Sequence, residues 1–243
     1  MLTKSRPVQQ FDLPSGRSLG SHYQIVDFLG RGYEGEVYKV VESYTGIERA
    51  AKIFFPQRNP RGRALLRYAR KMNKLKHLPI IVQYHHLDMA QVRGQKVAFM
   101  ISDFVEGELL SRFVEHQPGK RLRSFEALYL LRTLANGVAP IHQLGEYHGD
   151  IHTDNIIISR RGAGFRIKLL DFFDLGRPTR QRIQDDMVDL VHVLYEIIGG
   201  QPRYGKAGPE IKRIVCGLKR SLIARRFRSA GELRQAIDSL RWD

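Results

Sequence analysis

The chain has 243 residues, of which 42% are hydrophobic, and this length suits one sizeable domain or two small lobes with a buried core. No run of about 18 uncharged apolar residues occurs, which predicts no membrane-spanning helix, and residues 1–10 lack the apolar core of a signal peptide. Cys216 is the only cysteine, which excludes an internal disulfide and a cysteine-cluster metal site. Together these features predict a cytoplasmic protein.

The formal net charge of +15 is unevenly distributed along the chain. No acidic residue occurs between Glu48 and Asp88, and residues 58–76 carry most of the arginines and lysines of that interval. A charge run of this kind is either the solvated face of a helix or a contact surface for an acidic or polyanionic partner. No aromatic residues alternate with the charges in a way that suggests base stacking. Both interpretations stay open.

The N-terminal part predicts an irregular arm followed by an antiparallel sheet. Residues 1–20 carry prolines and glycines without periodicity, which predicts a flexible arm. Short β-prone runs and one amphipathic pattern follow. We expect strands at 23–29, 36–41, 48–54, 80–84 and 96–101, and a helix at 61–76. This predicts an N-terminal lobe, residues 21–104, of five antiparallel strands and one helix.

From residue 105 onward the pattern is mainly helical. We expect helices at 108–115, 124–144, 186–198, 210–218 and 231–240, and a hairpin of strands at 156–159 and 165–170. Ser124 is the expected N-cap of the second helix, and Asp185 and Asp186 are expected at the start of the third. This predicts a helical C-terminal lobe, residues 105–243, and an α+β fold of two lobes overall.

Two features of the first lobe are typical of phosphate binding. The turn Gly30-Arg31-Gly32-Tyr33-Glu34-Gly35 lets the backbone fold tightly and brings its N–H groups close to phosphate oxygens. A strand follows this turn, whereas a dinucleotide-binding fold requires a helix there, so the turn is predicted to cover phosphates. Lys52 lies one hairpin later among small and apolar residues, which favours an ammonium group directed at the same phosphates.

The segment from His148 to Asn155 holds two carboxylates, two imidazoles and a carboxamide within eight residues. Asp150 and Asn155 have the Asp-x-x-x-x-Asn spacing of phosphoryl-transfer loops, in which the carboxylate accepts a proton and the amide helps to hold a metal. Asp171 follows the next predicted hairpin, at the tip of an apolar strand. A surface turn is the alternative interpretation of Asp171.

In this order the motifs resemble those of the eukaryotic-like protein kinases, including the bacterial Ser/Thr type, over residues 23–240. The resemblance implies ATP and Mg²⁺ as cofactors. The implied nucleotide contacts are Gly30, Arg31, Gly32, Gly35, Val37, Ala50, Lys52, Asp103 and Val105. The implied catalytic residues are Asp150, Lys52, His152 and Asn155, and the implied Mg²⁺ ligands are Asn155 and Asp171. The same resemblance implies that His148 is structural and that Asp186 holds the backbone of the catalytic loop.

Several residues depart from that family. The predicted helix 61–76 has no glutamate to pair with Lys52, and we expect Glu34 or Glu36 to replace it. Gly149 stands where regulated protein kinases carry arginine. About fourteen residues separate Asp171 from Asp186, and no Ala-Pro-Glu follows. These departures predict an enzyme that is not switched by phosphorylation of an activation loop. The glycine of Asp-Phe-Gly is also missing, because the chain reads Asp171-Phe172-Phe173.

Three functions remain open. His152 makes the catalytic loop similar to that of aminoglycoside and choline phosphotransferases, which act on small molecules. Residues 226–233 are similar to the end of bacterial Ser/Thr protein kinases. We therefore predict a minimal bacterial Ser/Thr protein kinase with a nucleotide and a protein substrate as partners. A small-molecule kinase and a pseudokinase that only binds are the alternatives.

Overall fold

The computed structural model of the protein describes residues 7–59, 62–162, 164–172 and 176–240, without the side chains of residues 63 and 64. Its contacts divide the chain into two compact units. Unit 1 consists of Met1–Lys76 and Val82–Val105, and unit 2 consists of His77–Ile81 and Glu106–Asp243. The sequence predicts a boundary after residue 104. It gives no sign that residues 77–81 belong to unit 2 while the residues on both sides of them belong to unit 1.

Unit 1 contains a six-stranded sheet in the order β1-β2-β3-β4-β6-β5. The strands are β1 Ser18–Leu19, β2 Tyr23–Arg31, β3 Gly35–Glu42, β4 Glu48–Phe54, β5 Tyr84–Val92 and β6 Gln95–Asp103. All neighbouring strands are antiparallel, as predicted. The predicted number of five strands is wrong, because β1 is a sixth strand of two residues and is too short to produce a periodic pattern.

The segment before β1 packs against this sheet. Phe11 and Leu13 are buried in the same core as Tyr38 and Phe99, and the Phe11 ring lies 5.2 Å from that of Phe55. The prediction of a flexible arm is therefore wrong for residues 7–20, while residues 1–6 lie outside the described range. The backbone of this segment is irregular, so its burial comes from isolated apolar side chains that secondary-structure periodicity does not detect.

The predicted strand at 80–84 is wrong, because β5 begins at Tyr84. Ile80 and Ile81 belong to unit 2, where Ile81 forms an isolated parallel bridge with Leu169. Their β-branched side chains are buried, and an added Cβ on Gly137 would lie 2.3 Å from the Ile80 side chain. A short apolar run can thus reflect burial without regular strand pairing.

Helix α1, Arg63–Leu75, lies in unit 1 and agrees with the predicted amphipathic helix. Leu65, Met72 and Leu75 are buried at helical spacing and form its apolar stripe. The helix contains no acidic residue. It therefore presents cationic side chains on its remaining faces and has no glutamate for Lys52.

Unit 2 combines a small sheet, in the order β7-β8-β9, with seven helices among its described residues. Its strands are β7 Glu108–Leu109, β8 Ile156–Arg161 and β9 Gly164–Leu169. Its helices are α2 Leu110–Glu115, α3 Ser124–Gln143, α4 Arg180–Ile197, α5 Gln201–Tyr204, α6 Pro209–Val215, α7 Arg220–Arg226 and α8 Ala230–Asp238. Helices α3 and α4 form much of the core, with a buried residue at almost every turn.

Two expectations about helix starts in unit 2 are wrong. Ser124 is not the N-cap of α3, since Arg123 takes that position without a side-chain cap. Helix α4 begins at Arg180, with Thr179 as its N-cap, so Asp185 and Asp186 lie inside the helix and do not cap it. Helices α5 and α7 were not predicted. No helix in the described ranges is long and apolar enough to cross a membrane.

Candidate active site

The glycine turn of unit 1 is the tip of the β2–β3 hairpin. Gly30 pairs with Val37, and the Gly32 N–H donates to the Gly35 carbonyl at 2.9 Å. An added Cβ on Gly35 would lie 2.0 Å from the Ile53 carbonyl oxygen, whereas one on Gly30 or Gly32 would meet no atom within 4 Å. Close packing against β4 therefore requires the third glycine. The open space at the first two is compatible with the approach of a ligand.

Lys52 forms an ion pair with Glu34, a residue of this glycine turn. The Lys52 Nζ atom donates to Glu34 Oε2 at 2.8 Å. The lysine side chain is only 9% exposed, so β4 holds the ammonium in a restricted position with a carboxylate beside it. Val37 and Lys52 are direct partners in the β3–β4 register. This geometry agrees with the expectation that Glu34 replaces the glutamate missing from α1.

Glu36 has a different set of partners. Its carboxylate is fully buried and accepts hydrogen bonds from Arg31 Nε at 2.7 Å and from the Tyr38 hydroxyl. Arg31 also pairs with Asp12 at 3.0 Å, and the Tyr38 hydroxyl accepts the Leu13 N–H at 3.1 Å. Burial, and then the bond to Glu36, raise the pKa of Tyr38. The structure therefore assigns Glu36 to a network that ties the N-terminal segment to the glycine turn.

Asp103 and Val105 end unit 1. The Asp103 N–H donates to the Gln83 carbonyl at 2.9 Å, and its carboxylate pairs with Arg49 at 3.1 Å and His85 at 2.7 Å. One position along the two strands, Ala50 of β4 pairs with Ser102 of β6. The side chain of Asp103 is thus occupied by Arg49 and His85, which makes the backbone of this segment the part suited to ligand contact.

The catalytic-loop residues of unit 2 converge on Asp150. Asn155 Nδ2 donates to the Asp150 carbonyl at 3.0 Å and to Asp150 Oδ2 at 3.1 Å. His152 Nε2 lies 3.5 Å from Asp150 Oδ2, and His152 Nδ1 accepts the Asp154 N–H at 3.2 Å. The Asp150 carboxylate is 48% exposed, so it is oriented by its neighbours and still open to a substrate hydroxyl.

His148 links this loop to the end of β9. Its ring is buried, Nε2 donates to the Leu170 carbonyl at 2.8 Å, and Nδ1 accepts the Asp150 N–H at 3.3 Å. These partners fix the neutral tautomer that carries its proton on Nε2. The same ring packs on Phe172 with centroids 4.2 Å apart. His148 therefore positions Asp150 and the segment that carries Asp171, in agreement with its implied structural role.

Asp186, a residue of α4, binds the backbone of the same loop. Its fully buried carboxylate accepts the N–H groups of His148 and Gly149, each at 2.7 Å. His142 Nε2 lies 2.9 Å from Asp186 Oδ2, and among the described residues His142 Nδ1 has no hydrogen-bond partner. Nε2 is therefore the protonated nitrogen of His142. The implied role of Asp186 is confirmed by these contacts, and His142 is a supporting residue that the sequence did not indicate.

Asp189 is a second carboxyl group beneath the loop, one turn after Asp186 on α4. Burial, and then the negative charges of Asp186 and Asp150, raise its pKa from 3.8 to about 7. A hydrogen bond from the Ile151 N–H acts in the opposite direction. The sequence did not single out Asp189, since a carboxylate inside a helix pattern is usually solvated.

Asn155 and Asp171 fit the requirements of Mg²⁺ by their donor atoms. Because Asn155 uses its amide nitrogen for Asp150, its side-chain oxygen is the atom suited to a cation, and Mg²⁺ prefers oxygen ligands. Asp171 adopts a positive φ of 48°, an unusual conformation for a non-glycine residue that occurs at functional sites. The described residues contain no group of three or more His, Cys, Asp and Glu side chains that could hold a metal. Phe173, the residue predicted in place of the motif glycine, lies outside the described residues, as does Asp174.

Comparison with known proteins identifies the family. The model of the protein kinase domain matches residues 23–206. The Ser/Thr protein kinase pkn2 of Myxococcus xanthus is 30% identical over 162 residues, covering 65% of this chain and 19% of pkn2. Cyclin-dependent kinase 12 of Caenorhabditis elegans is 25% identical over 195 residues, covering 77% of this chain and 26% of that kinase. The chain spans less than half the length of the curated relatives it matches.

Solved structures agree with this family at the level of the fold. The PknI kinase domain of Mycobacterium tuberculosis has a TM-score of 0.67 at 23% identity, covering 93% of this chain and 98% of that domain. A double mutant of the same domain has a TM-score of 0.71. The mixed α+β architecture with an antiparallel sheet is therefore the protein-kinase fold. The chain belongs to the protein kinase family.

Proposed function

We propose that the chain is an ATP- and Mg²⁺-dependent Ser/Thr protein kinase of minimal build, which transfers the γ-phosphate of ATP to a hydroxyl group. The observation that carries the proposal is the Asp150 carboxylate, which Asn155 holds at 3.1 Å while its surface remains half exposed. The presence of Lys52, Asp150, Asn155 and Asp171 together argues against a scaffold, which has no chemical use for all four. Membership of the kinase family and its Ser/Thr relatives support the same conclusion.

In this proposal the residues of unit 1 bind the nucleotide. Gly30, Arg31, Gly32, Gly35 and Val37 cover it, Lys52 contacts the α- and β-phosphates, and Ala50 with the Asp103 and Val105 backbone contacts the adenine. Glu34 orients the Lys52 ammonium in the absence of a helix glutamate. The Asp103 N–H is already bonded to Gln83, so the Asp103 carbonyl and the Val105 backbone are the groups assigned to the base.

The residues of unit 2 act on the reacting groups. Asp150 accepts the proton of the attacking hydroxyl, and His152 and Asn155 keep its carboxylate in place. Asn155 Oδ1 and the Asp171 carboxylate hold Mg²⁺. When bound, Mg²⁺ neutralises charge on the phosphates and orients them. Asp186 and His148 position the loop without touching the substrate.

Transfer of labelled phosphate from ATP in the presence of Mg²⁺ tests this proposal. We expect transfer by the wild type and a loss of about 100-fold or more in Asp150→Asn and Asp171→Asn, because each removes a carboxylate that acts on the reacting groups. Asp154→Asn is the matched control, since Asp154 lies in the same loop and its side chain bonds Ser111. The phosphate acceptors offered are the protein itself, a generic protein substrate and small hydroxyl compounds.

The acceptor separates the alternatives. Transfer only to small hydroxyl compounds would favour the relationship to aminoglycoside and choline phosphotransferases that His152 suggests. Against it, the stretch between α4 and α6 holds only the short helix α5 and has no large substrate insertion. ATP binding without any transfer by the wild type would contradict the proposed activity and favour a pseudokinase.

We also propose that activity does not depend on phosphorylation of an activation loop. Gly149 offers no cation to bind a phosphate beside the catalytic loop, and about fourteen residues link Asp171 to Asp186. Phosphatase treatment should leave the rate of phosphate transfer unchanged. A large decrease after treatment would contradict this part of the proposal.

Helix α1 is proposed as a contact surface for an acidic or polyanionic partner. Its support is the cationic composition of residues 58–76 and the burial of only one apolar stripe. Arg61 lies outside the described residues, and so does the side chain of Arg63. Such a contact is compatible with kinase activity.

A further inference from the structure

A cavity of about 440 Å³ lies in unit 2, away from the residues assigned to phosphate transfer. The start of α4, the end of α7 and the segment before α8 surround it. Its lining residues are Arg180, Gln181, Gln184, Ala224, Arg225 and Arg228. Three of these six side chains are guanidinium groups and none is a carboxylate.

Within the described ranges, the side chains of Arg180, Arg225 and Arg228 form no ion pair. Glu232 Oε2 accepts the backbone N–H of Arg228 at 2.8 Å and does not pair with its guanidinium group. Asp185, the acid closest to Arg180 on α4, is already paired with Arg220 and bonded by Gln181 Nε2 at 3.0 Å. Like charges that share a concave surface repel one another, and a bound anion would remove that repulsion.

The polar groups between the arginines are fixed in position. Gln184 Nε2 donates to the Ala224 carbonyl at 3.2 Å and so joins α4 to α7. Gln181 is held by Asp185, as described above. Helices α4 and α7 therefore line the cavity together, and its charged donors are the arginines, whose side chains are exposed.

The N-terminus of α4 adds positive potential at the cavity. Arg180 is the first residue of this helix, and its first turn contains no acidic residue. A helix N-terminus favours negative charge, so a cation there is in an unfavourable position. An anion in the cavity would interact with both the arginines and the helix end.

We propose that this cavity is a binding site for a phosphate monoester, carried by a phosphorylated protein segment. A phosphate monoester bears about −1.5 to −2 charges and three strong acceptor oxygens at pH 7. Three guanidinium groups match this charge and these acceptors better than they match a carboxylate, which has a single charge. The site does not use Asp150, Asn155, Asp171 or Lys52 and does not rest on the proposed kinase activity.

Binding of a labelled phosphoserine peptide, followed by fluorescence anisotropy without ATP, tests this site. We expect the phosphopeptide to bind about tenfold or more tightly than its unphosphorylated form, and inorganic phosphate to compete with it. The double variant Arg225→Gln and Arg228→Gln should weaken binding by about tenfold or more, since each lost arginine removes a charge-assisted hydrogen bond. The double variant Lys212→Gln and Arg213→Gln on α6 is the matched control, because it removes the same number of charges and both residues are exposed and lie outside the cavity.

Each outcome decides for or against the site. Competition by inorganic phosphate with no preference for the phosphopeptide would overturn the assignment to a phosphorylated segment and leave a free-anion site. An equal loss in the α6 double variant and in the cavity variant would show attraction by overall charge and overturn the proposal. The proposal would also be overturned if a nucleic acid duplex bound more tightly than the phosphopeptide and lost the same affinity in the cavity variant and in the control variant. Circular dichroism of the cavity variant establishes that any loss does not come from unfolding.

Discussion

At the scale of single residues, the pairing of Lys52 distinguishes two glutamates that lie two positions apart. Glu34 at the hairpin tip reaches the Lys52 ammonium, while Glu36 points into the core and bonds Arg31 and Tyr38. Alternate residues of a strand face the same side of the sheet. Glu34 lies in the turn before β3, so it does not have to face the same side as Glu36. The lysine partner is therefore a turn residue, whereas regulated members of the family use a helix residue.

Glu34→Gln should lower kcat/KM for ATP by about tenfold, because the neutral amide orients the Lys52 ammonium less strongly. The free energy of unfolding should change little, since Glu34 is partly exposed. Steady-state kinetics with varied ATP measures the effect, and Glu115→Gln, at an exposed position of α2, is the control. Unchanged kinetics in Glu34→Gln would show that Lys52 does not depend on this carboxylate.

Asp189 should make stability depend on pH. In the unfolded chain this carboxyl group loses its proton near pH 3.8, whereas in the fold it keeps the proton up to about pH 7. The folded state thus binds more protons in this interval, and the free energy of unfolding falls as the pH rises through about 7. The stabilising contribution is fully present below pH 3.8.

Asp189→Asn should remove this part of the pH dependence. We expect the variant to gain stability relative to the wild type, on the order of 1–2 kcal/mol, between pH 5 and pH 8, because the amide never ionises. Urea unfolding at both pH values measures it, with Asp27→Asn, at an exposed position of β2, as the control. Parallel pH profiles of Asp189→Asn and the wild type would contradict the raised pKa.

At the scale of elements, the segment before β1 is part of unit 1 and not an appendage. Phe11, Leu13 and Leu19 complete the core on one face of the sheet. Asp12 lies between two of these side chains and pairs with Arg31 of the glycine turn. The segment therefore contributes hydrophobic burial and also holds the base of the hairpin that is proposed to cover ATP.

Phe11→Ala should destabilise unit 1 by about 3–5 kcal/mol, since it removes a buried ring and leaves a cavity beside Phe55. Gln10→Ala, at the neighbouring exposed position, should have an effect within about 0.5 kcal/mol. Chemical denaturation with hydrogen exchange of β2 and β3 compares the two variants. Equal stability would mean that the segment does not pack on the sheet in solution.

At the scale of the whole molecule, the positive charge includes two clusters, one in each unit. Helix α1 in unit 1 has no acidic residue, and the arginine-lined cavity lies in unit 2. The net charge of +15 predicts attraction to polyanions in general. Only the position of each cluster distinguishes a specific contact from this general attraction.

Affinity for a polyanion such as heparin should fall steeply between low and moderate salt, because binding releases counter-ions. Replacing Arg70 and Lys76, exposed cations at α1, by Gln should reduce the slope of log affinity against log salt by about 1 to 2. The control is a double replacement of Arg213 and Lys212 on α6. A slope that falls equally in both variants would show that α1 is not a preferred contact.

The spacing of residues along the chain was enough to predict the glycine hairpin and the loop from His148 to Asn155. It also predicted Lys52 on the strand that follows this hairpin, which is β4. Strand alternation, amphipathic helices and motif spacing are properties of residues close in sequence, so they are visible without the fold. The kinase resemblance, which the family comparison confirms, rests on the order of these local patterns.

The tertiary structure decided the features that depend on contacts between distant residues. It selected Glu34 over Glu36 as the partner of Lys52, buried Phe11 and Leu13, and assigned segment 77–81 to unit 2. It also brought Arg180 to the same cavity as Arg225 and Arg228, about 45 residues further along the chain. Burial and charge pairing depend on which surfaces meet, and no local pattern in the sequence specifies that.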